Sequence, residues 1–288
     1  MKVRKAVILA AGFGTRMLPA SKVVPKEVLP VVDVPAIQLV VEEIVRSGIR
    51  DIVMVISKGK GALLSHFQPV PDLERSLEEK GKRDLLDLVR ATNDLANITT
   101  VEQAEPLGIG HAVLQARNAV GDEPFAVLLP DDIFDADPPC LRQLLDVAEA
   151  RQGPVVSLMR VAKSDVSKYG IVEAADLGDR QFHLTGMVEK PQAEKAPSEL
   201  AIIGRYVLPS EIFSILAQAK PGAGGEIQLT DALLVLSKTR RLLGYEFEGT
   251  RYDLGDRLGF LTAQIGFGLK RPDLADKLRS YLRSVLSS

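Results

Sequence analysis

The chain has 288 residues, 46% of them hydrophobic and 26% charged, with 36 Lys and Arg against 38 Asp and Glu for a formal net charge of -2. This composition excludes a disordered or fibrous chain, and the balanced charge argues against a generally basic nucleic-acid binder while leaving room for a local basic patch. One cysteine, Cys140, and three scattered histidines, His66, His111 and His183, exclude a disulfide framework and a clustered Cys or His metal centre. No apolar run approaches the roughly 18 residues of a membrane span. The basic, then apolar, start is broken by glycines and reads as a buried first strand rather than an export signal, so a cytoplasmic protein is expected.

In chain order, residues 5–10 (KAVILA) read as a buried strand running into a glycine turn at Gly12 and Gly14. After Pro35, apolar residues Ile37, Val40, Val41, Ile44 and Val45 recur at helical spacing. Pro35 suits the first helical position, and Gly48 suits the residue that ends the helix. Residues 49–56 form a second strand, and strand–helix–strand at this spacing is a βαβ unit with parallel pairing. Residues 72–90 read as one or two surface helices and 98–101 as a strand, after which Gly108 and Gly110 open a helix from His111. The apolar strand 125–129 ends in Pro130-Asp131-Asp132, followed by a helix over 141–150 and a strand over 155–161. Residues 169–206 alternate and turn, the pattern of antiparallel β-structure. The loop PGAGG (221–225) precedes a helix over about 227–238, a strand over 242–247 and helices over 256–266 and 272–286. No repeat or low-complexity linker divides the chain. The expectation is one α/β body over 1–288, with a β-rich portion around 165–210 and a helical C-terminal segment around 256–288.

Three places carry candidate chemistry. AAGFGTR (10–16) follows a strand, and residues 1–30 hold six Lys or Arg (Lys2, Arg4, Lys5, Arg16, Lys22, Lys26) against one acid, Glu27. Glycines let backbone N–H groups approach an anion closely, so this cluster fits a phosphate-rich ligand. An ordinary tight βα turn is the plainer reading of Gly12 and Gly14 alone. The Walker A string is absent, and Met17 stands where a dinucleotide fingerprint needs its third glycine. Asp131-Asp132 at a strand's end, with Asp253 far downstream, could hold Mg²⁺, a hard cation that takes one or two carboxylates. A polar loop and helix cap is the alternative. Glu189-Lys190-Pro191 could neutralise a sugar phosphate and accept sugar hydroxyls, although alone it reads as a solvent-exposed charged turn. Gln103 and Gly108 could meet a nucleobase. Cys140 has no histidine near it in sequence, and His111 reads as a helix-terminal packing residue rather than a base.

The strings AAGFGTRMLPASKVVPKEVLPVVDVPAIQ, EQAEPLGIGHAV, LLPDD, SKYGIVE, GMVEKP, IIGRYVL, GEIQLTDAL and YDLGDRLGF run in order from residue 10 to residue 260. Together they closely resemble the sugar nucleotidyltransferases, and within them the bacterial uridylyltransferases that act on UTP and glucose 1-phosphate. The resemblance implies a Rossmann-like α/β fold, a mixed, mainly parallel sheet flanked by helices. It implies that Ala11, Gly12 and Gly14 hold the nucleotide, with 12–16, Thr15 included, wrapping its phosphates. Arg16 and Lys26 would bind the triphosphate and stabilise departing pyrophosphate, and Glu27 would orient that region or contact the base. Gln103 and Gly108 would read the uracil edge, while Asp131 and Asp253 would hold Mg²⁺. Gly170 and Glu189 would contact glucose hydroxyls, Lys190 the phosphate of glucose 1-phosphate, and Gly204 or Glu226 the sugar pocket. Ser21, Val34, Leu254 and Phe260 depart from the commoner pattern without removing an implied catalytic group.

The implied reaction is in-line attack of the sugar phosphate on the α-phosphorus of UTP, giving UDP-glucose and pyrophosphate. A phosphate monoester has a second pKa of roughly 6, so the nucleophile is ionised near neutrality and no general base is required. The resemblance also favours a homodimer or homotetramer. Alternatives are the same chemistry with dTTP or another sugar 1-phosphate, a non-catalytic nucleotide-sugar sensor, and an NAD-dependent oxidoreductase, the last weakened by Met17.

Overall fold

The computed structural model describes residues 1–287. The N-terminal half alternates strands and helices. It comprises β1 (Lys5–Ala10), the two-residue ribbon β2 (Pro30–Val31) and β3 (Val34–Pro35), α1 (Ala36–Arg46), β4 (Asp51–Ile56) and α2 (Ala62–Ser65). It continues through α3 (Pro71–Glu79), α4 (Arg83–Asn93), β5 (Asn97–Glu102), α5 (Ile109–Gln115), α6 (Arg117–Val120), β6 (Phe125–Leu128) and β7 (Asp132–Asp135). Then follow α7 (Cys140–Arg151), β8 (Val155–Arg160), β9 (Gly170–Asp176), β10 (Gln181–Glu189), β11 (Leu200–Leu208), α8 (Glu211–Gln218) and α9 (Leu229–Ser237). The chain finishes with β12 (Leu243–Glu246), β13 (Thr250–Asp253), α10 (Arg257–Gly268) and α11 (Ala275–Leu286).

Among the described residues, nine strands form one sheet in the order β5-β4-β1-β6-β11-β8-β12-β10-β9. Pairing is parallel through β5, β4, β1 and β6 and again between β8 and β12. It is antiparallel where β11 meets β6 and β8 and where β10 meets β12 and β9. The sheet is thus mixed and flanked by helices, with its run of parallel strands on the N-terminal side. The strands of the 165–210 portion lie within this sheet. β11 spans the two regions: its second half pairs with β6, and its first half reaches β8 and, through Ala201 opposite Ile171, the start of β9.

Alternation along β1 explains why a short strand can anchor two layers. Ala6, Ile8 and Ala10 face a core shared with α1 and α7, while Val7 and Leu9 face one shared with α5, α8 and α9. The apolar stripe of α1 lies on the first layer, and the helix ends at Ser47 with Gly48 beyond it at φ 93. Pro35 is the N-cap residue rather than the first helical one, because its extended ψ of 139 belongs to the strand it leaves. Residues 72–90 resolve into α3 and α4, joined by Arg90 and Asn93 on Glu74. The ribbon of β7 and β13 was not expected. Asp253, expected just past the strand at 242–247, is the last residue of β13 and lies opposite Asp132. None of the described helices is long and apolar enough to cross a membrane.

Candidate active site

Because β1, β4, β5 and β6 run parallel, the loops leaving them emerge at one edge of the sheet, where ligands bind in open α/β sheets. From β1 comes the glycine loop. The strand ends at Ala10, Gly14 adopts a left-handed φ of 67 and a 3₁₀ turn begins at Thr15. Ser21 donates to the Gly14 carbonyl at 2.7 Å. From the β4 side comes Lys60. Its Nζ donates to the carbonyls of Ala10 and Gly12 at 2.7 and 2.6 Å and to both carboxylate oxygens of Glu27 at 2.9 Å. Burial holds the Lys60 ammonium below its ordinary pKa, against the pull of Glu27.

From β6 comes the acid turn. Lys26 Nζ lies 2.5 Å from Asp131 Oδ2, and Arg16 lies 3.8 Å from the same oxygen. Burial opposes ionisation of Asp131, but Lys26 and then Arg16 outweigh it and hold the carboxyl below its usual range. Arg251, on β13, donates from Nε to Asp132 Oδ1 at 2.7 Å, from Nη1 to the Tyr169 hydroxyl at 3.1 Å and from Nη2 to Asp253 Oδ2 at 3.4 Å. Burial drives Asp132 up to about 6 against the pull of Arg251, and Asp131 and Asp253 add to the rise. The Leu254 amide donates to the Asp131 carbonyl at 2.7 Å, which brings Asp253 beside Asp131.

A third group lines the side toward α5. Gln103 Nε2 donates to the Gly108 carbonyl at 3.2 Å and meets His111 Nδ1 at 2.9 Å. The Gly108 contact identifies that atom as the amide nitrogen, so it donates to His111 Nδ1. With both amide hydrogens engaged, Gln103 presents an acceptor oxygen. Gly108 has φ 97, and a Cβ there would come within 2.8 Å of Glu226 Cβ and 2.9 Å of the Ile227 carbonyl. On the opposite side, Gly170 and Glu189 are register partners, and Thr230 donates to Glu189 Oε2 at 2.6 Å. Lys190 follows with φ 46, its side chain 56% exposed and 3.5 Å from Glu189.

These groups line one cleft of about 720 Å³ that holds Ala11, Gly12, Thr15, Arg16, Lys26, Glu27, Gln103, Gly108, Asp131, Gly170, Glu189, Lys190, Gly204, Glu226 and Asp253. A glycine loop, an acid cluster and a lysine just past a strand end therefore share one space. The pattern of the nucleotidyl transferase family matches residues 5–266. The chain belongs to the nucleotidyl transferase family. It is 49% identical over 286 residues to a UTP–glucose-1-phosphate uridylyltransferase of Bacillus subtilis, covering 99% of this chain and 98% of that one. It superposes on a UTP-bound UGPase from Acinetobacter baumannii with a TM-score of 0.90 at 37% identity, covering 98% and 99% of the two chains. It superposes on a UDP-glucose pyrophosphorylase complexed with UDP-glucose with a TM-score of 0.85 at 38% identity, covering 94% and 100%.

Within this nucleotidyltransferase, three of the expected positions have defined surroundings. The Glu27 side chain is 1% exposed and both its oxygens accept from Lys60, because an ammonium beside two backbone carbonyls needs a carboxylate. At Gly14 a Cβ would stand 3.2 Å from the Lys26 side chain. The space a side chain at Gly204 would need is filled by Asp132, whose Cβ would be 2.8 Å away. Sequence reasoning missed Lys60, Arg251 and Thr230. Only Lys60 carried a signal, a lysine between two glycines just beyond a parallel strand. Cys140 is fully buried, and burial pushes its thiol well up, which removes it as a nucleophile.

Asp131 and Asp253 form a donor set that fits Mg²⁺. Both are carboxylates on the cleft, and Asp131 already carries a cation, the Lys26 ammonium, at hydrogen-bond distance. Among the described residues no group of three or more His, Cys, Asp or Glu could hold a metal. A metal here would thus complete its shell with water and phosphate, as Mg²⁺ does.

Proposed function

We propose that this nucleotidyltransferase moves a uridylyl group from UTP to α-D-glucose 1-phosphate, giving UDP-glucose and pyrophosphate. The observation that carries the reading is that Arg16 and Lys26, Asp131 and Asp253, and Glu189 and Lys190 line one cleft. The activity of the Bacillus subtilis relative and the UTP and UDP-glucose bound by the solved neighbours support it.

In this reading the N–H groups of 12–16 and the side chains of Arg16 and Lys26 take the triphosphate and balance the charge of leaving pyrophosphate. The Gln103 oxygen accepts from the uracil N3–H, an edge that cytosine lacks. Glu189, oriented by Thr230, and the backbone at Gly170 take glucose hydroxyls, with Glu226 and Gly204 completing the wall. Lys190 takes the sugar phosphate and aims its oxygen at the α-phosphorus, with two anions held at near-attack distance. That oxygen is already ionised near neutrality, so no side chain acts as a base. Asp131 and Asp253 would hold Mg²⁺, which supplies charge neutralisation at the α-phosphate.

The test is pyrophosphate release from UTP, glucose 1-phosphate and Mg²⁺, run beside dTTP, CTP and ATP. Fast release with UTP is expected, and no Mg²⁺-dependent release would sink the reading. A 5-methyl group is worth about 1–3 kcal/mol in a pocket, so turnover of dTTP within about 10- to 100-fold of UTP is compatible with it. We also assign the reaction to the cytoplasm and to a homodimer or homotetramer. Leu258 and Leu261 on α10 and Tyr281 and Val285 on α11 stay exposed in the single chain, and a monomer by light scattering would reject the assembly.

A further inference from the structure

The centre of the sheet carries a charge that this chemistry does not use. Arg205, on β11, is 0% exposed. Its Nε and Nη2 donate to the two carboxylate oxygens of Glu43, on α1, at 3.0 and 2.7 Å. Nη1 donates to the carbonyls of Leu129 and Gly204 at 3.1 and 3.0 Å, and Nη2 also donates to the carbonyl of Asp132 at 2.8 Å. Every N–H of the guanidinium is thereby used. Its face lies 4.4 Å from the centre of the Phe134 ring. Glu43 in turn accepts from the Leu141 amide at 3.0 Å.

Burying an ion pair gains little over apolar side chains of similar volume, so stability alone does not account for it. The acceptors suggest a different reason. β6 ends at Leu128 and β7 begins at Asp132, so the turn carrying Asp131 lies between ladders. The carbonyls on either side of Pro130 and Asp131, those of Leu129 and Asp132, end on the same rigid fork. The register of β11 against β8 shifts between Ile202 and Tyr206, which interrupts regular pairing on that edge, while Arg205 stays paired with Leu128 of β6 on the other. Ser157 partly repairs the shift, with its hydroxyl between the Arg205 amide and carbonyl.

We propose that Arg205, locked by Glu43, is the positioning residue of Asp131: it sets the 129–132 turn from inside the core so that the carboxylate is presented to Mg²⁺. This rests on the reading of the cleft given above. Lysine cannot substitute, because its three donors on a flexible stem cannot span Glu43 and both carbonyls.

Two variants test it. Arg205→Lys keeps the charge opposite Glu43 but releases the turn. Arg205→Met combined with Glu43→Gln leaves no orphaned buried charge and keeps an acceptor for Leu141, so it serves where the lysine variant does not fold. Three quantities are read: UTP affinity in EDTA, the free Mg²⁺ giving half-maximal rate, and the rise in melting temperature that Mg²⁺ adds to the UTP-bound protein. The expected result is UTP affinity within about twofold of wild type, half-saturating Mg²⁺ raised about 10- to 100-fold, and a diminished Mg²⁺ increment in melting temperature. Folded variants that melt earlier yet keep the wild-type Mg²⁺ response would overturn the proposal, as would a loss of UTP affinity in EDTA as large as the loss of Mg²⁺ response. A wild-type protein indifferent to Mg²⁺ would instead overturn the reading of the cleft, and this inference with it.

Discussion

The two neighbouring carboxylates of the acid turn face different cations: Asp131 has Lys26, and Asp132 has Arg251, which it shares with Asp253. Their environments separate them. The Lys26 ammonium holds Asp131 below its usual range in spite of burial, whereas burial carries Asp132 from its ordinary 3.8 up to about 6. A carboxyl whose folded pKa lies above its unfolded value binds its proton more tightly when folded. The stability it contributes is therefore present below about 3.8 and lost as pH rises through about 6. Urea denaturation of wild type and Asp132→Asn should show the wild-type advantage shrinking between about pH 4 and 6, and a growing advantage would refute the assignment. For Lys190, exposed and aimed into the cleft, Lys190→Ala should raise the KM for glucose 1-phosphate and lower kcat/KM about 10- to 100-fold while UTP binding stays near wild type, as loss of one charge-assisted hydrogen bond implies. Steady-state kinetics against each substrate would show the split. Lys190 is legible in sequence as a lysine directly after a strand. Its partners are not, since Thr230 reaches Glu189 from a different part of the chain.

At the scale of elements, the cleft depends on short pieces that only pair through tertiary contact. β7 and β13 have four residues each, too few for a period-2 pattern to show, and each includes charged residues that belong to the site. Their antiparallel register sets Asp132 opposite Asp253. β11 passes beside β7 without a side chain at Gly204, where Asp132 occupies the room. Gly204→Ala should therefore displace Asp132 and Arg251 together, costing about 1–3 kcal/mol of stability by overpacking and lowering activity more than melting temperature alone implies. Wild-type activity in a folded Gly204→Ala protein would show that the Asp132 placement is dispensable. Long apolar strands and α1 were legible because their periodicity is local. The β7–β13 ribbon, the Lys60 clamp and the Arg205–Glu43 pair were not, because each joins residues remote in sequence.

Over the whole molecule, a net charge of -2 is the sum of charges sorted by task. Arg16 and Lys190 have side chains 65% and 56% exposed, whereas Lys26 is 15% exposed. Exposed charges are screened over a Debye length of about 8 Å at physiological salt and about 3 Å at 1 M. Capture of two anions should therefore weaken with salt, and kcat/KM for both substrates should fall several-fold between about 0.05 and 0.5 M NaCl, with kcat less affected. A salt-independent kcat/KM would show that capture rests on Lys26 and backbone dipoles alone.

Read alone, the sequence specifies the longer strands, α1, the glycine loop and half of the cleft residues, because short-range pattern and motif are properties of neighbouring positions. How the charges are matched follows from the folded arrangement. It turned Glu27 inward onto Lys60, gave Arg251 to Asp132, and placed Arg205 beneath the turn of Asp131. A charge removed from water must find its partner in space, and nothing in the chain's local order says which of its 36 basic residues that will be.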